Sequence, residues 1–224
     1  MADIDYKQIK EELLNRIRNA DVLTISERGV TTTTDSFNGD NIQTQFTLTN
    51  SGIKNIREVR VDTNIQTPLV DYTYTLTETD ENNKVITFTT PPGVGILNVE
   101  IDYDYSSSGD KIYDDFPLAE ISIDSYPRIG FEIISDNTTL ESFNRQLYQT
   151  ELLISFQAFG VGRNATEDIL SNLRQHLMDN RNNLVRLTYI EPRGRSRILS
   201  VESTNGKIFK RTTDFAAPFE FEEG

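Results

Sequence analysis

The chain has 224 residues, of which 36% are hydrophobic, and it carries a formal net charge of −13. A charge of this sign disfavours general binding to nucleic acid and to anionic membranes, because the phosphate groups of both would be repelled. The chain has no cysteine, which excludes disulfides and thiolate metal sites.

The N-terminal stretch predicts an amphipathic helix, because Ile9, Leu13 and Ile17 recur every four residues. This stretch has no hydrophobic region typical of a signal peptide, and the chain has no run of about 18 apolar residues. We therefore expect the protein to fold in a cytoplasm and not to bind a membrane. The following DVLTIS (21–26) predicts a short strand, and the polar RGVTTTTDSFNG (28–39) predicts a linker.

Residues 40–108 carry a pattern that differs from both flanks. Five runs alternate polar and apolar residues with period two: QFTLT, EVRVD, YTYTL, VITFT and LNVEIDYDY. In the last run the apolar side chains share one face, and acidic side chains such as Asp102 and Asp104 are expected to face solvent on the other. The pattern predicts a small antiparallel β-sandwich, inserted at residues 37–109.

The flanking parts, 1–36 and 110–224, predict a second domain of mixed composition. Asn164 and Glu167 stand in the spacing of a capping box, which predicts the start of a second helix. The predicted strands are AEISIDSY (119–126), GFEII (130–134), YQTELLISFQAFG (148–160), VRLTYI (185–190), RILSVES (198–204) and KIFKRTTDF (207–215). The fold class is therefore α+β, with a mixed or antiparallel sheet packed against two helices and the inserted β-sandwich in addition.

Residues that could carry chemistry are few. The single histidine, His176, lies beside the apolar residues of the second predicted helix, as a boundary or surface histidine does. FGVGRN (159–164) lacks the Lys-Ser/Thr of a phosphate loop, and the order of the carboxylates around Asp102 and Asp110 does not match a calcium loop. We expect no catalytic residue, no metal and no cofactor, and hence no enzyme.

Two clusters are candidate contacts with other subunits or partners. The loop PRGRSR carries three arginines in an acidic chain. It is interpreted either as an exposed turn or as a patch that pairs with carboxylates of a neighbouring subunit. The C-terminal TTDFAAPFEFEEG carries three phenylalanines, on an intramolecular edge strand or on an aromatic patch for a partner. The six candidate residues are Arg193, Arg195, Arg197, Phe215, Phe219 and Phe221.

Two parts of the sequence resemble proteins of tailed bacteriophages. GDNIQTQFTL, VDYTYT, ITFTTPP and VEIDYDY are similar to segments of small β modules found in phage structural proteins. The flanking parts resemble the tail-terminator or neck family in element order, through IKEELLNRI, ELLISFQAFG and ATEDILSNLRQHLM. The inserted β module departs from that family, in which a compact member would have a short hairpin.

The resemblance implies a structural protein of the virion that is assembled in the host cytoplasm. A tail terminator forms a hexameric ring that caps the tail tube and joins it to the head–tail connector. Its partners would be copies of itself, the tube protein, the sheath if the tail is contractile, and the connector, while DNA passes through the lumen without specific binding.

Two alternatives stay open. One is another head–tail connector or a baseplate component. The other is a ligand- or carbohydrate-binding β-sandwich protein, suggested by tyrosines at positions 72, 74, 103 and 105.

Overall fold

The computed structural model describes residues 6–74, 84–107, 110–113, 126–142, 147–182, 184, 187, 189–195, 199–203 and 206–222. These residues belong to two compact units. The split unit comprises Met1–Leu23 and Lys111–Gly224, and the inserted unit comprises Thr24–Asp110.

The described residues form three helices and thirteen strands. In chain order they are α1 (Tyr6–Asn19), α2 (Ile25–Arg28), β1 (Thr31–Gly39), β2 (Gln45–Thr47), β3 (Ile53–Val61), β4 (Asn64–Ile65), β5 (Tyr72–Thr73), β6 (Val85–Phe88), β7 (Gly95–Tyr105), β8 (Ile112–Tyr113), β9 (Arg128–Ser142), β10 (Leu147–Gly160), α3 (Arg163–Asp179), β11 (Glu191–Arg195), β12 (Leu199–Ser203) and β13 (Gly206–Glu222).

The inserted unit contains two antiparallel sheets, with strand orders β1-β7-β3-β4 and β2-β6-β5. Alternation places the apolar side chains of each sheet on one face, where they form a common core. Phe46 and Phe88 meet edge to face in this core, with ring centroids 5.5 Å apart. The arrangement is that of a small β-sandwich.

The split unit is a six-stranded sheet with two helices. Its strand order is β11-β13-β10-β9-β8, and β12 pairs with the same strand β13. The short β8 runs parallel to β9, and the other pairs are antiparallel. Apolar residues of α1 and α3 share one core with Phe131, Phe156 and Phe215 of the sheet. The fold class is therefore α+β.

Two local predictions are wrong. Residues 21–26 form no strand, because Thr24 caps the short helix α2: its Oγ1 accepts from the Glu27 amide and the Glu27 carboxylate accepts from the Thr24 amide. Residues 31–39, which the sequence analysis places in a linker, form β1 and pair with β7 from Thr31↔Tyr105 onward. The compact unit of the structure spans Thr24–Asp110, whereas the sequence predicts an insertion at residues 37–109.

The start of α3 also differs from the prediction. The helix begins at Arg163, and its N-cap is Gly162, which has no side-chain cap. Asn164 thus lies inside the helix. The predicted strand 119–126 lies outside the described residues except for Tyr126, and the described residues between 185 and 190 are not in a strand. The helices number three among the described residues, one more than predicted, because of α2.

Candidate functional site

A buried ionic cluster joins the two ends of the inserted unit. Arg28, which ends α2, is 1% exposed and lies between two carboxylates. Its Nη1 donates to Asp104 Oδ2 at 2.8 Å, and its Nη2 donates to Asp110 Oδ2 at 2.5 Å. Asp104 and Asp110 are themselves 0% and 1% exposed. The cluster thus fastens the segment before β1 to the segment after β7.

Asp104 is the centre of this cluster. It also accepts hydrogen bonds from Arg57 Nε at 2.6 Å and from Thr32 Oγ1 at 2.7 Å. Burial alone would raise the pKa of Asp104, but these hydrogen bonds and the charges of Arg28 and Arg57 outweigh it and lower the pKa below its ordinary value. The carboxylate is therefore held ionised. This corrects the prediction that Asp104 faces solvent.

The cluster fixes the local structure and is poorly suited to chemistry. Both carboxylates are saturated by guanidinium groups, so neither is available as a base or a ligand. Within the described parts of the chain, His, Asp and Glu side chains form no group of three or more that could hold a metal ion.

The opposite end of the inserted unit is formed by three segments, which we call the tip loops: residues 40–44, residues 62–71 with the short strand β4, and residues 89–97 with the start of β7. They connect β1 to β2, β3 to β5, and β6 to β7. The pairs Gly39↔Gly95 and Val61↔Val99 bring the ends of these strands together, far along the ladders from Thr31↔Tyr105.

Side-chain amides tie the tip loops to one another. Asn98 accepts from the Gly39 amide at 2.8 Å, and its Nδ2 donates to Asp62 Oδ1 at 3.1 Å and to the Gly93 carbonyl at 3.0 Å. In addition, the backbone N–H of Asn41 donates to the Pro92 carbonyl at 2.9 Å. One asparagine therefore connects the end of β1 with the second and third tip loops.

An open cleft of about 510 Å³ lies between the second and third tip loops. Its walls are mixed, with apolar and polar groups from both loops and from the strand ends beside them. The lining residues include Val61, Asn64, Val70, Asp71, Phe88 and Pro92. Backbone hydrogen bonds hold the two loops at a defined distance, since the Thr89 amide donates to the Asp71 carbonyl.

The predicted arginine cluster is described only in part. Arg193 lies on β11, and its Nη2 is 2.6 Å from Glu151 Oε2 across the sheet face. Both side chains are about half exposed, so the pair contributes at most about 1 kcal/mol. Arg195 is placed on β11 by its backbone alone, and Arg197 lies outside the described residues. An interface role for these arginines stays a prediction.

The predicted phenylalanine cluster is divided by the structure. Phe215 is 0% exposed and packs edge to face on Phe156, with ring centroids 5.6 Å apart. Its side chain belongs to the core of the split unit and is not available to a partner, which corrects its assignment as an interface residue. Phe219 and Phe221 continue β13 opposite Thr150 and Tyr148, and nothing is described of their side chains.

The tyrosines that suggested a ligand site are also core residues. Tyr72, Tyr74 and Tyr103 are at most 9% exposed, and Tyr105 is partly buried against the same core. They present no exposed aromatic platform. Burial also raises the pKa of Tyr72 and of Tyr103 above the ordinary value.

His176 lies on the last turn of α3 and is half-buried. Burial lowers its pKa, the charge of Arg16 lowers it further, and Asp179 opposes the shift. The described helices include none long and apolar enough to cross a membrane.

Comparison with known proteins adds little to this picture. No family model matches the chain, and no curated protein does. A chain in the solved structure of the virion of a native gene transfer agent (GTA) particle is similar over 50% of this chain and 79% of its own, at 13% identity and a TM-score of 0.32. A score of this size does not establish a shared fold.

Proposed function

We propose that the protein is a structural subunit of a tailed-phage virion, a tail-terminator or neck subunit that assembles into a ring. In this role it caps the tail tube and contacts the head–tail connector. It performs no catalysis and needs no cofactor.

The observation that carries the proposal is the position of the segments that resemble phage structural proteins. The segments QTQFTL, DYTYT, ITFTTPP and VEIDYDY all lie in one compact unit, Thr24–Asp110, which has its own core. In sequence, this β module is inserted between a helix and the strands of a sheet. A module with its own core can be added to an assembly protein in this way. The module adds a surface without altering the core of its host.

The split unit supplies features that suit a ring. Three long antiparallel strands, β9, β10 and β13, are covered by α3 on one face. Within the described part of the chain, β11 and β12 pair only with β13, so each presents a second backbone edge. Pairing of such edges with a neighbouring subunit would remove a liability that an isolated monomer carries.

Charge is consistent with the same role. A net charge of −13 suits a channel through which DNA must pass without adhering. The arginine-bearing strand β11 lies at a sheet edge, where its guanidinium groups could meet carboxylates of the next subunit.

The mass of the purified protein tests the ring. Size-exclusion chromatography with light scattering, together with native mass spectrometry, should give six times the 25.6 kDa of one chain. A mass of one chain at every concentration contradicts the proposal.

A pair of matched variants tests the interface. The double variant Arg195→Glu and Arg197→Glu should fold but lose the ring, since it reverses two charges at the predicted contact. The control Lys7→Glu and Lys10→Glu makes the same change of net charge on α1 and should leave the ring intact. Equal loss in both variants would show a general charge effect and would remove the arginines from the interface.

A further inference from the structure

The tip loops concentrate the exposed apolar side chains of the protein. Of the ten large hydrophobic side chains exposed among the described residues, six lie in these loops. They are Ile42, Ile65, Val70, Val94, Ile96 and Leu97, and Val94 and Ile96 are 82% and 88% exposed. A surface free of partners seldom gathers apolar groups in this way.

Five of the six described non-glycine residues with positive φ lie in the tip loops. Asn41, Asp62, Thr63, Leu69 and Leu97 all have positive φ, between 50° and 70°. For a β-branched residue such as Thr63, or a bulky one such as Leu97, this region is strained. The strain is maintained by hydrogen bonds, for instance from the Leu97 amide to Asn38 Oδ1 at 2.8 Å. The backbone that carries the apolar side chains is therefore pre-organised.

The charges of the tip loops are all of one sign. The loops contain Asp40, Asp62 and Asp71, and they contain no lysine or arginine. Each of the three carboxylates accepts from a neighbouring amide, and none makes an ion pair among the described residues. Hydrogen bonds from the Gln43 and Ile42 amides lower the pKa of Asp40, so that this carboxylate stays charged.

We propose that the tip loops are a docking site for a protein surface whose exposed apolar side chains are ringed by lysine or arginine. The apolar groups of the two surfaces would pack together, and the basic ring would meet the three aspartates. A second copy of this acidic tip would repel the first, and so would an anionic membrane. The loops contain no Tyr, Trp or Phe on which a sugar could stack.

This inference depends on the inserted unit alone and does not require the ring. A monomer that binds through its tip would support it even if the proposed function failed. Conversely, a hexamer whose tip binds nothing would leave the ring standing and overturn the docking site.

Three synthetic amphipathic helical peptides provide the probes. The Leu/Lys peptide combines both features of the proposed partner, the Leu/Glu peptide reverses its charge, and the Ser/Lys peptide lacks its apolar face. Fluorescence anisotropy at about 0.15 M salt, where long-range attraction is screened, measures binding to the full-length protein. We expect the Leu/Lys peptide to bind, and the other two to bind at least about tenfold more weakly.

Two variants then locate the binding site. Ile65→Ser with Ile96→Ser removes apolar surface, and Asp40→Asn with Asp62→Asn and Asp71→Asn removes three charges while keeping an amide oxygen to accept the loop hydrogen bonds. Each should lower the affinity for the Leu/Lys peptide about tenfold or more. The melting temperature should change little, since the substituted side chains are at the surface.

Matched controls lie in the split unit. Val161→Ser with Leu199→Ser changes two exposed apolar residues, and Asp168→Asn with Asp179→Asn and Glu191→Gln removes three exposed charges. These variants should bind the Leu/Lys peptide as the parent protein does. Equal losses in tip and control variants would overturn the proposal. So would preferred binding of the Leu/Glu peptide, or self-association that the tip variants abolish, which would identify a second copy as the partner.

Discussion

At the scale of single residues, Arg28 has a large consequence for stability. It is a fully buried cation that lies between the buried carboxylates of Asp104 and Asp110. A buried ion pair is weak evidence of net stabilisation, but removal of one member leaves an uncompensated buried charge. The cost of losing Arg28 therefore exceeds the net contribution of the cluster.

Arg28→Ala should lower the free energy of unfolding by about 3–5 kcal/mol. Arg60→Ala is the matched control, since Arg60 pairs with Glu58, Glu100 and Asp102 on the partly exposed face of the same sheet. It should cost no more than about 1 kcal/mol. Urea titration followed by tyrosine fluorescence can measure both, because the chain has no tryptophan. Equal losses would show that burial of the cluster is not what matters.

At the scale of elements, the amphipathic helices and alternating strands are the parts that the sequence predicts well. Apolar residues every four positions predict α1, and period-two alternation predicts β7, because these signals arise within one element. Asp104 shows where such signals fail. Alternation places it on the polar face of β7, but the partners that bury it there come from Arg28 and Arg57, far away in the sequence.

The β1 segment shows the same limit. Its Thr-rich composition and nearby Gly suit a loop, and only its pairing with β7, which starts more than 50 residues later, makes it a strand. The sequence pattern likewise does not predict the tip loops as a site. Their exposed apolar residues, such as Val94 and Ile96 in PPGVGIL, stand beside turn residues, a combination that could have indicated an exposed surface.

Helix α3 stabilises the split unit through a single stripe of buried residues. Leu173 is 0% exposed in the centre of that stripe, so Leu173→Ala should cost about 2–5 kcal/mol. Asn172→Ala, on the exposed side of the same helix, should change stability by no more than about 0.5 kcal/mol. Chemical denaturation followed by helical circular dichroism distinguishes them. A cost below about 1 kcal/mol for Leu173→Ala would show that the helix is loosely packed.

At the scale of the whole molecule, the two cores share no residue. The core of the inserted unit uses residues between Phe37 and Tyr105, and the core of the split unit uses residues up to Leu23 and from Ile112 onward. Arg18 Nη2 donates to the Ile112 carbonyl at 2.9 Å. This hydrogen bond links the two segments of the split unit near the points where the insertion begins and ends. Each unit therefore has the contacts that independent folding requires.

Two deletions should consequently behave differently. A chain with Thr24–Asp110 replaced by a short Gly/Ser linker should keep a cooperative thermal transition. A chain that lacks residues 38–108 retains most of β1 without β7, and Arg28 without Asp104, so it should aggregate or melt at a lower temperature. Circular dichroism and light scattering report both properties. Aggregation of the first chain would show that the split unit depends on the inserted one.

The buried cluster has a further consequence for protein engineering. Arg28 and Asp110 lie close to the two termini of the inserted unit, and their ion pair holds those termini together. A gene cassette that begins before Thr24 and ends after Asp110 would encode both partners of this ion pair. Such a cassette could be grafted into a surface turn of an unrelated host and would display the tip loops there. A cassette cut at residues 37 and 109 would lack both Arg28 and Asp110.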